Sequence, residues 1–171
     1  MKKLIMMMAL SSLLVVGCNR SDQKENEQMQ SYLNMKEKLL NNGGNPSYNI
    51  PFSYAINVEE VDGHYVYTLT IDKAQVIMNK FQAMSLIPTA TNSEDIEPCI
   101  GVFEELSYSF VPNQEDKENG YISGFSLGGK SNEASFDVYA LIAWYKEDNS
   151  TLQNTFVTFR IEDGVEVVEN E

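Results

Sequence analysis

Residues 52–71 read FSYAINVEEVDGHYVYTLTI, and this stretch decides the expected fold. Apolar or aromatic side chains occupy every second position of its first half: Phe52, Tyr54, Ile56 and Val58. This period of two is typical of a half-buried strand. Asp62-Gly63 is a strong signal for a two-residue hairpin turn, and a β-branched and aromatic run follows at residues 65–71. The stretch therefore predicts two antiparallel strands joined by a tight turn.

Strand patterns recur towards the C-terminus. Three runs alternate in the same way: residues 106–110, 121–127 and 155–161. Gly128-Gly129 predicts the end of the second run. Residues 136–145 are apolar on both alternating faces, so they are expected to form a central strand covered on both sides. Residues 74–87 fit either a helix or strands interrupted by a bulge, and we favour the strands.

These patterns place seven or eight strands in residues 49–162, separated by turns rich in Gly, Asn, Asp and Pro. They predict an all-β fold, an antiparallel immunoglobulin-like β-sandwich, with an up-and-down barrel as the alternative. The Cys…Trp…Cys spacing of antibody domains is absent. Residues 31–48 are expected to form a short helix and its connection, because helical spacing is followed by Met29, Tyr32, Leu33, Lys36, Leu39 and Leu40. Residues 163–171 are expected to be a frayed acidic tail.

The first 17 residues have the three parts of a secretory signal peptide. Lys2 and Lys3 provide the positive charge, and residues 4–16 carry none. That uncharged stretch is too short to cross roughly 30 Å of hydrocarbon as a helix. Its end, residues 14–18 with the sequence LVVGC, resembles the bacterial lipobox.

The lipobox resemblance implies cleavage before Cys18, a diacylglyceryl thioether on Cys18 and often acylation, for example by palmitate, of the freed amine. More than one acyl chain makes release from a membrane slow. We therefore expect an extracytoplasmic protein held at the cell membrane by lipid. The alternatives are an uncleaved hydrophobic anchor and a freely secreted protein. The polar residues after Cys18 have no apolar pattern, so residues 18–30 are expected to be a lipidated flexible tether reaching about 20 Å.

Charge restricts the partners. The chain has a net charge of −13, and without residues 1–17 it has ten Lys and Arg against twenty-five Asp and Glu, a net charge of −15. This balance argues against nucleic acid as a partner, because phosphates require clustered positive charge. It also disfavours direct binding to anionic lipid, so the lipid on Cys18 would have to provide the membrane contact.

Three segments carry a wider resemblance: YVYTLTID at residues 65–72, IGVF at residues 100–103 and GYISGF at residues 120–125. They are similar to segments of small uncharacterised surface lipoproteins of Gram-positive bacteria. The resemblance covers most of the chain after Cys18 and supports the immunoglobulin-like architecture. It implies no active site.

Few residues suit catalysis. His64 is the only histidine, which excludes histidine-based triads and multi-histidine metal sites. A dyad of Cys99 with His64 is conceivable, but we favour an exposed hairpin histidine and a packed thiol. Glu104 and Glu105 could in principle act as a glycosidase pair, yet adjacent residues of a strand point to opposite faces. A solvated charge run is therefore the preferred interpretation.

Two further patterns suggest ligands. Acidic loops at residues 92–97, 113–119 and 147–149 could bind calcium, although none has the EF-hand spacing. Residues 124–131, GFSLGGKS, satisfy the phosphate-loop pattern, but a strand rather than a helix is expected to follow. We interpret them as a glycine-rich hairpin. The many aromatic residues are expected to be core rather than a sugar-binding or peptide-binding face.

The sequence thus favours a non-enzymatic binding module on a membrane anchor, without a cofactor or metal. The partner would be a protein or a cell-envelope polymer. The first alternative is a cell-envelope hydrolase that uses carboxylates or Cys99. The second is a solute-binding lipoprotein, which is disfavoured because such proteins usually have two α/β lobes and a longer chain.

Overall fold

The described part of the chain folds into one α-helix and two antiparallel sheets. A computed structural model describes residues 19–90 and 95–167, so the predicted signal peptide, Cys18 and the last four residues lie outside it. Helix α1 spans Asn19–Asn42. The strands are β1 Ser53–Val61, β2 His64–Asp72, β3 Met78–Leu86, β4 Cys99–Ile100, β5 Tyr108–Phe110, β6 Gly124–Ser131, β7 Phe136–Tyr145, β8 Leu152–Glu162 and β9 Val165–Glu166. Short 3-10 helices lie at Pro88–Ala90 and Lys117–Asn119.

The sheet topology confirms the predicted antiparallel β-sandwich. One sheet has the order β1-β2-β6, and the other has the order β4-β3-β7-β8-β9, with β5 also paired to β3. The pairs β2–β6, β3–β7 and β7–β8 are all antiparallel. The described residues contain nine strands, of which β4 and β9 have two residues each.

The β1–β2 hairpin forms at the predicted turn. Val61 pairs with His64, and Asp62 and Gly63 between them have φ angles of 51° and 80°. Two positive φ angles are what a type I′ turn requires, and Asp-Gly adopts them readily. The opening stretch of sequence therefore predicted both strands and their connection correctly.

Strand β7 is the centre of the molecule, as its two apolar faces predicted. One face, with Val138, Ala140 and Ile142, packs in the core between the two sheets. The other face contributes Leu141 to a second cluster beneath the helix. The sheet of β7 is thus covered on one side by the other sheet and on the other side by α1.

Strand β3 resolves the ambiguity in favour of a strand for residues 78–86, whereas residues 74–77 precede it and do not form a strand. Its pairing with β7 shifts between Asn79 and Gln82, which is the irregularity expected of a bulge. Lys80 lies within it with a φ angle of 47°. As a result Met78 and Phe81, three residues apart, both pack in the core between the sheets.

Most of the aromatic side chains near β3 are core residues, as predicted. Phe81 and Phe110 are almost fully buried, and Phe125 is buried beside them. The ring centroid of Phe81 lies 4.8 Å from that of Phe110 and 5.2 Å from that of Phe125. These rings fill one end of the space between the two sheets.

The predicted flexible tether is wrong for residues 19–30, because α1 begins at Asn19. Contacts with the body of the domain extend the helix. Gln28 Nε2 donates to the carbonyl of Phe103 at 2.9 Å, and Lys24 Nζ lies 3.3 Å from Glu105 Oε1. The sequence pattern missed these contacts because their partners lie more than 70 residues further along the chain.

The buried stripe of α1 also differs from the predicted one. Tyr32, Met35 and Leu39 pack on the sheet. Leu33 and Leu40, which the helical spacing also selected, are 48% and 41% exposed. The side chains that α1 packs on the sheet therefore lie at positions i, i+3 and i+7, counted from Tyr32.

Several strand boundaries differ from the predictions. β6 begins at Gly124 rather than residue 121, and β8 spans Leu152–Glu162 rather than residues 155–161. β6 continues through Gly128-Gly129 to Ser131, so the glycines do not end it. β5 is confined to Tyr108–Phe110, with Leu106 outside it. In the expected acidic tail, Val165 and Glu166 pair with β8 and extend the sheet by one short strand.

Candidate functional site

A groove of about 430 Å³ lies between α1 and the outer face of the larger sheet. We call it the helix–sheet groove. It is lined by Ser31, Asn34, Met35, Lys38, Lys80, Phe81, Gln82, Gly101, Ser107, Leu141, Ala143, Tyr145, Leu152 and Asn154. Its volume falls in the range of small-molecule sites.

The floor of the groove is apolar. Met35 of the helix and Leu141 of β7 are buried and belong to the cluster beneath α1. Ala143 and Tyr145, on the same side of β7, are half-buried. Alternation along β7 places all three side chains on the face that α1 covers only in part.

Hydrogen-bond donors surround this floor. Lys38 Nζ donates to Asn154 Oδ1 at 3.2 Å, and Asn34 Oδ1 accepts from Gln30 Nε2 at 3.0 Å. Each amide oxygen accepts one hydrogen bond, and the NH₂ groups of Asn34 and Asn154 have no partner among the described residues. An amide nitrogen has two hydrogens to donate and an ammonium has three.

Lys80 contributes a second ammonium to the groove. It is exposed, and its backbone is held in the left-handed region by the β3 bulge, where its N–H donates to Ser109 Oγ at 3.3 Å. A positive φ angle is uncommon for a residue with a side chain and often marks functional sites. Within the described part of the chain, no carboxylate lies within ion-pair distance of the Lys80 ammonium.

The charge of the groove is opposite to that of the protein. Its lining contains two lysines and, among the described residues, no Asp or Glu. The whole chain has twenty-five acidic against twelve basic residues. The groove is thus a cationic, donor-rich site on an acidic protein, and it can bind groups that are negatively charged or rich in acceptors.

The Cys99–His64 pair is not assembled. Cys99 lies in β4, in the larger sheet, whereas His64 begins β2 in the smaller sheet and its Nδ1 is 2.8 Å from Asn132 Oδ1. Burial, with a contribution from the charge of Glu104, raises the pKa of the Cys99 thiol to about 11. A nucleophilic cysteine requires the opposite shift.

The predicted carboxylate pair is not assembled either. Glu104 and Glu105 lie in a loop rather than a strand. The backbone N–H of Phe103 donates to Glu104 Oε2 at 3.2 Å, while Glu105 contacts Lys24 of the helix. The two carboxylates thus have separate partners.

The acidic loops use their carboxylates within turns. Asp116 accepts hydrogen bonds from the backbone and side chain of Asn119. Hydrogen bonds from the backbone N–H of Ser150, and from the backbone and hydroxyl of Thr151, hold the pKa of Asp148 well below its usual range. Within residues 19–90 and 95–167, no three His, Cys, Asp or Glu side chains are placed to hold a metal ion. The third predicted calcium loop, residues 92–97, lies partly outside the described residues.

The phosphate-loop pattern is contradicted by its context. Residues 124–131 form the whole of β6, with a regular antiparallel register to β2. A phosphate loop instead wraps its backbone N–H groups around the ligand at the start of a helix.

In the described residues, no helix has the length and apolar character needed to cross a membrane.

Comparison of the chain with protein-family models, with curated proteins and with solved structures found no significant match.

Proposed function

We propose that this protein is a lipid-anchored extracytoplasmic binding module that holds a component of the cell envelope in the helix–sheet groove. The observation that carries the proposal is the groove itself, which combines an apolar floor with a rim of ammonium, amide and hydroxyl groups. Such a combination is typical of binding sites, where the apolar surface supplies affinity and the polar groups fix orientation.

The N-terminal sequence supports the membrane location. Lys2 and Lys3, the uncharged residues 4–16 and the lipobox at residues 14–18 occur in the order that lipoprotein processing needs. With lipid on Cys18, α1 would begin at the next residue, so the groove would stay close to the membrane surface. A component of the envelope would be the nearest ligand.

Binding without catalysis is supported by the state of the candidate nucleophile and acids. The Cys99 thiol has a raised pKa, and Asp116 and Asp148 are committed to turns. A hydrolase would require an activated nucleophile or a carboxylate pair directed at a substrate.

Two experiments test this function. Replacement of Cys18 by serine is expected to move the protein from the membrane fraction to the soluble fraction. For the groove, we expect Asn34→Trp to abolish retention of the mature protein on isolated cell-envelope material. Glu37→Trp, an exposed position of the same helix outside the groove, is the matched control.

Three results would contradict the proposal. The first is equal retention of the two tryptophan variants. The second is turnover of envelope substrates that is lost on Cys99→Ala, which would favour the hydrolase. The third is saturable binding of a small solute with no retention on the polymer, which would favour the solute-binding lipoprotein.

A further inference from the structure

We infer that the ligand of the helix–sheet groove is an anionic glycan, a sugar or polyol chain that carries carboxylate or phosphate groups, and that Lys38 and Lys80 bind its charge. This inference rests on the proposed function and adds the chemical class of the ligand.

The charge of the ligand follows from the two ammonium groups. Lys38 Nζ has one described partner, the neutral oxygen of Asn154, and Lys80 Nζ is not engaged by any described carboxylate. Among the other described lysines, Lys24, Lys36 and Lys117 lie within ion-pair distance of a carboxylate, whereas Lys73, Lys130 and Lys146 do not. The helix–sheet groove differs from the rest of the described surface lysines in bringing two such ammonium groups to one lining that contains no Asp or Glu among the described residues. Two ammonium groups without counter-charges in one groove favour an anion, because charge-assisted hydrogen bonds are the stronger ones.

The polyol part of the ligand follows from the neutral groups. Asn34 and Asn154 have NH₂ groups for which the described residues provide no acceptor, and Ser31 and Ser107 line the same groove. Amides and hydroxyls pair with the hydroxyl and ring oxygens of a sugar. The half-buried Tyr145 and the apolar floor can contact the carbon face of such a ring.

An extended acidic peptide fits the groove less well. Peptides commonly bind by adding a strand to a free sheet edge. The groove lies on the outer face of the sheet, over the central strand β7, whose two edges are paired with β3 and β8. No backbone edge of β7 is therefore open for a peptide strand.

The test measures binding of four defined probes to the mature protein with Cys18→Ser by titration calorimetry. The probes are a hexuronic acid oligosaccharide, a glycerol phosphate oligomer, a neutral oligosaccharide of the same length and a hexaglutamate peptide. We expect one of the two anionic polyols to bind at least about tenfold more tightly than the neutral one, and the two arms distinguish carboxylate from phosphate. Affinity should fall as salt rises, because the charges are exposed.

Lysine variants assign the site. Lys38→Gln and Lys80→Gln are each expected to weaken binding of the anionic glycan about fivefold, and the double variant more than either. Lys73→Gln is the control, because Lys73 is also exposed and also has a positive φ angle, 50°, but lies outside the groove. It should bind like the wild type.

The inference is overturned if neutral and anionic glycans bind equally, if hexaglutamate binds best, if no defined glycan binds, or if Lys73→Gln weakens binding as much as the groove variants. Its failure differs from failure of the proposed function. Retention on envelope material that is blocked by Asn34→Trp but unaffected by Lys38→Gln and Lys80→Gln would leave the binding module intact and remove the anionic ligand. Absence of retention of the wild type would remove the binding module itself.

Discussion

Tyr67 of β2 lies directly opposite Gly129 of β6, and its ring occupies the space that a side chain at position 129 would need. A Cβ atom at residue 129 would lie 2.5 Å from Tyr67 Cε1. The Tyr67 hydroxyl continues to the other sheet, where it lies 2.9 Å from Ser85 Oγ. Gly129, the third glycine of the segment GFSLGGKS, thus makes room for a tyrosine that connects the two sheets.

This relationship predicts different effects for two neighbouring glycines. Gly129→Ala forces the buried Tyr67 ring to move and is expected to lower the free energy of unfolding by about 1–3 kcal/mol. Gly128→Ala is the control, because its Cβ would meet only the Tyr67 carbonyl at 3.4 Å. Alanine there should be neutral or slightly stabilising. Urea unfolding of both variants checks this, and equal stabilities would show that the ring does not need the space.

The ion pair of Lys36 with Glu97 is expected to stabilise the fold, unlike the exposed pair of Lys24 with Glu105. Lys36 Nζ lies 2.8 Å from Glu97 Oε1, and the two side chains are 18% and 13% exposed. Lys36→Met would leave the Glu97 carboxylate partly buried without its partner and should cost about 2 kcal/mol. Lys24→Met, on the same helix, should lower the free energy of unfolding by less than about 1 kcal/mol, since both Lys24 and its partner Glu105 are exposed. Similar losses in the two variants would contradict this assignment.

The same pair predicts a pH dependence. Burial opposes the charge of Lys36, but the hydrogen bond and charge of Glu97, with smaller effects of Tyr32, outweigh it and raise the pKa of Lys36 above 10.5. A group whose pKa is higher in the folded state than in the unfolded state stabilises the fold fully at pH values below its unfolded-state pKa. This stabilisation is lost as the pH rises through the folded-state pKa. From neutral pH upward, the stability difference between wild type and Lys36→Met should therefore stay constant to about pH 10 and shrink above it. A difference that disappears at neutral pH would contradict the raised pKa.

Cys99 is expected to react slowly with thiol reagents. With Cys18→Ser it is the single thiol, and its pKa of about 11 leaves little thiolate at pH 8. Alkylation of the folded protein by iodoacetamide should be at least about 100-fold slower than in urea, where an ordinary thiol pKa applies. The folded rate should rise as the pH approaches 11. Rapid alkylation at pH 8 would contradict burial of the thiol and restore the nucleophile hypothesis.

Helix α1 is expected to unfold together with the sandwich. Leu39 is fully buried against the sheet, and Leu39→Ala should cost about 3 kcal/mol. Leu40→Ala, at the neighbouring exposed position, should change stability by less than about 0.5 kcal/mol. Helical and aromatic circular dichroism should follow one urea transition. A separate, earlier helical transition would show that α1 is only loosely attached.

Local patterns were sufficient for most of the strands. The hairpin at Asp62-Gly63 and the two-faced apolar strand β7 were predictable because side chains alternate along any strand and Asp-Gly adopts positive φ angles readily. The bulge in β3 was also anticipated, since residues 75–78 and 82–87 could each form a strand and an interruption was expected between them. These features depend on neighbours a few residues away.

The helix–sheet groove could not be predicted from those patterns. Its lysines, Lys38 and Lys80, come from α1 and from the β3 bulge, and Asn154 comes from β8. None belongs to a motif, because the site depends on side chains that are distant in sequence. The sequence feature that came closest to indicating the groove was Lys80, which lies where the strand pattern is interrupted.

The sequence by itself determined the sandwich, because the period of two and the turn residues act locally on the backbone. It also contains the lipobox ending at Cys18, from which the membrane location is proposed. Only the tertiary structure decided where α1 begins, why β6 passes through two glycines and which donors meet in the groove. Those outcomes depend on contacts such as Gln28 with Phe103 and Tyr67 with Gly129, whose partners are brought together by folding and cannot be recognised from either segment alone.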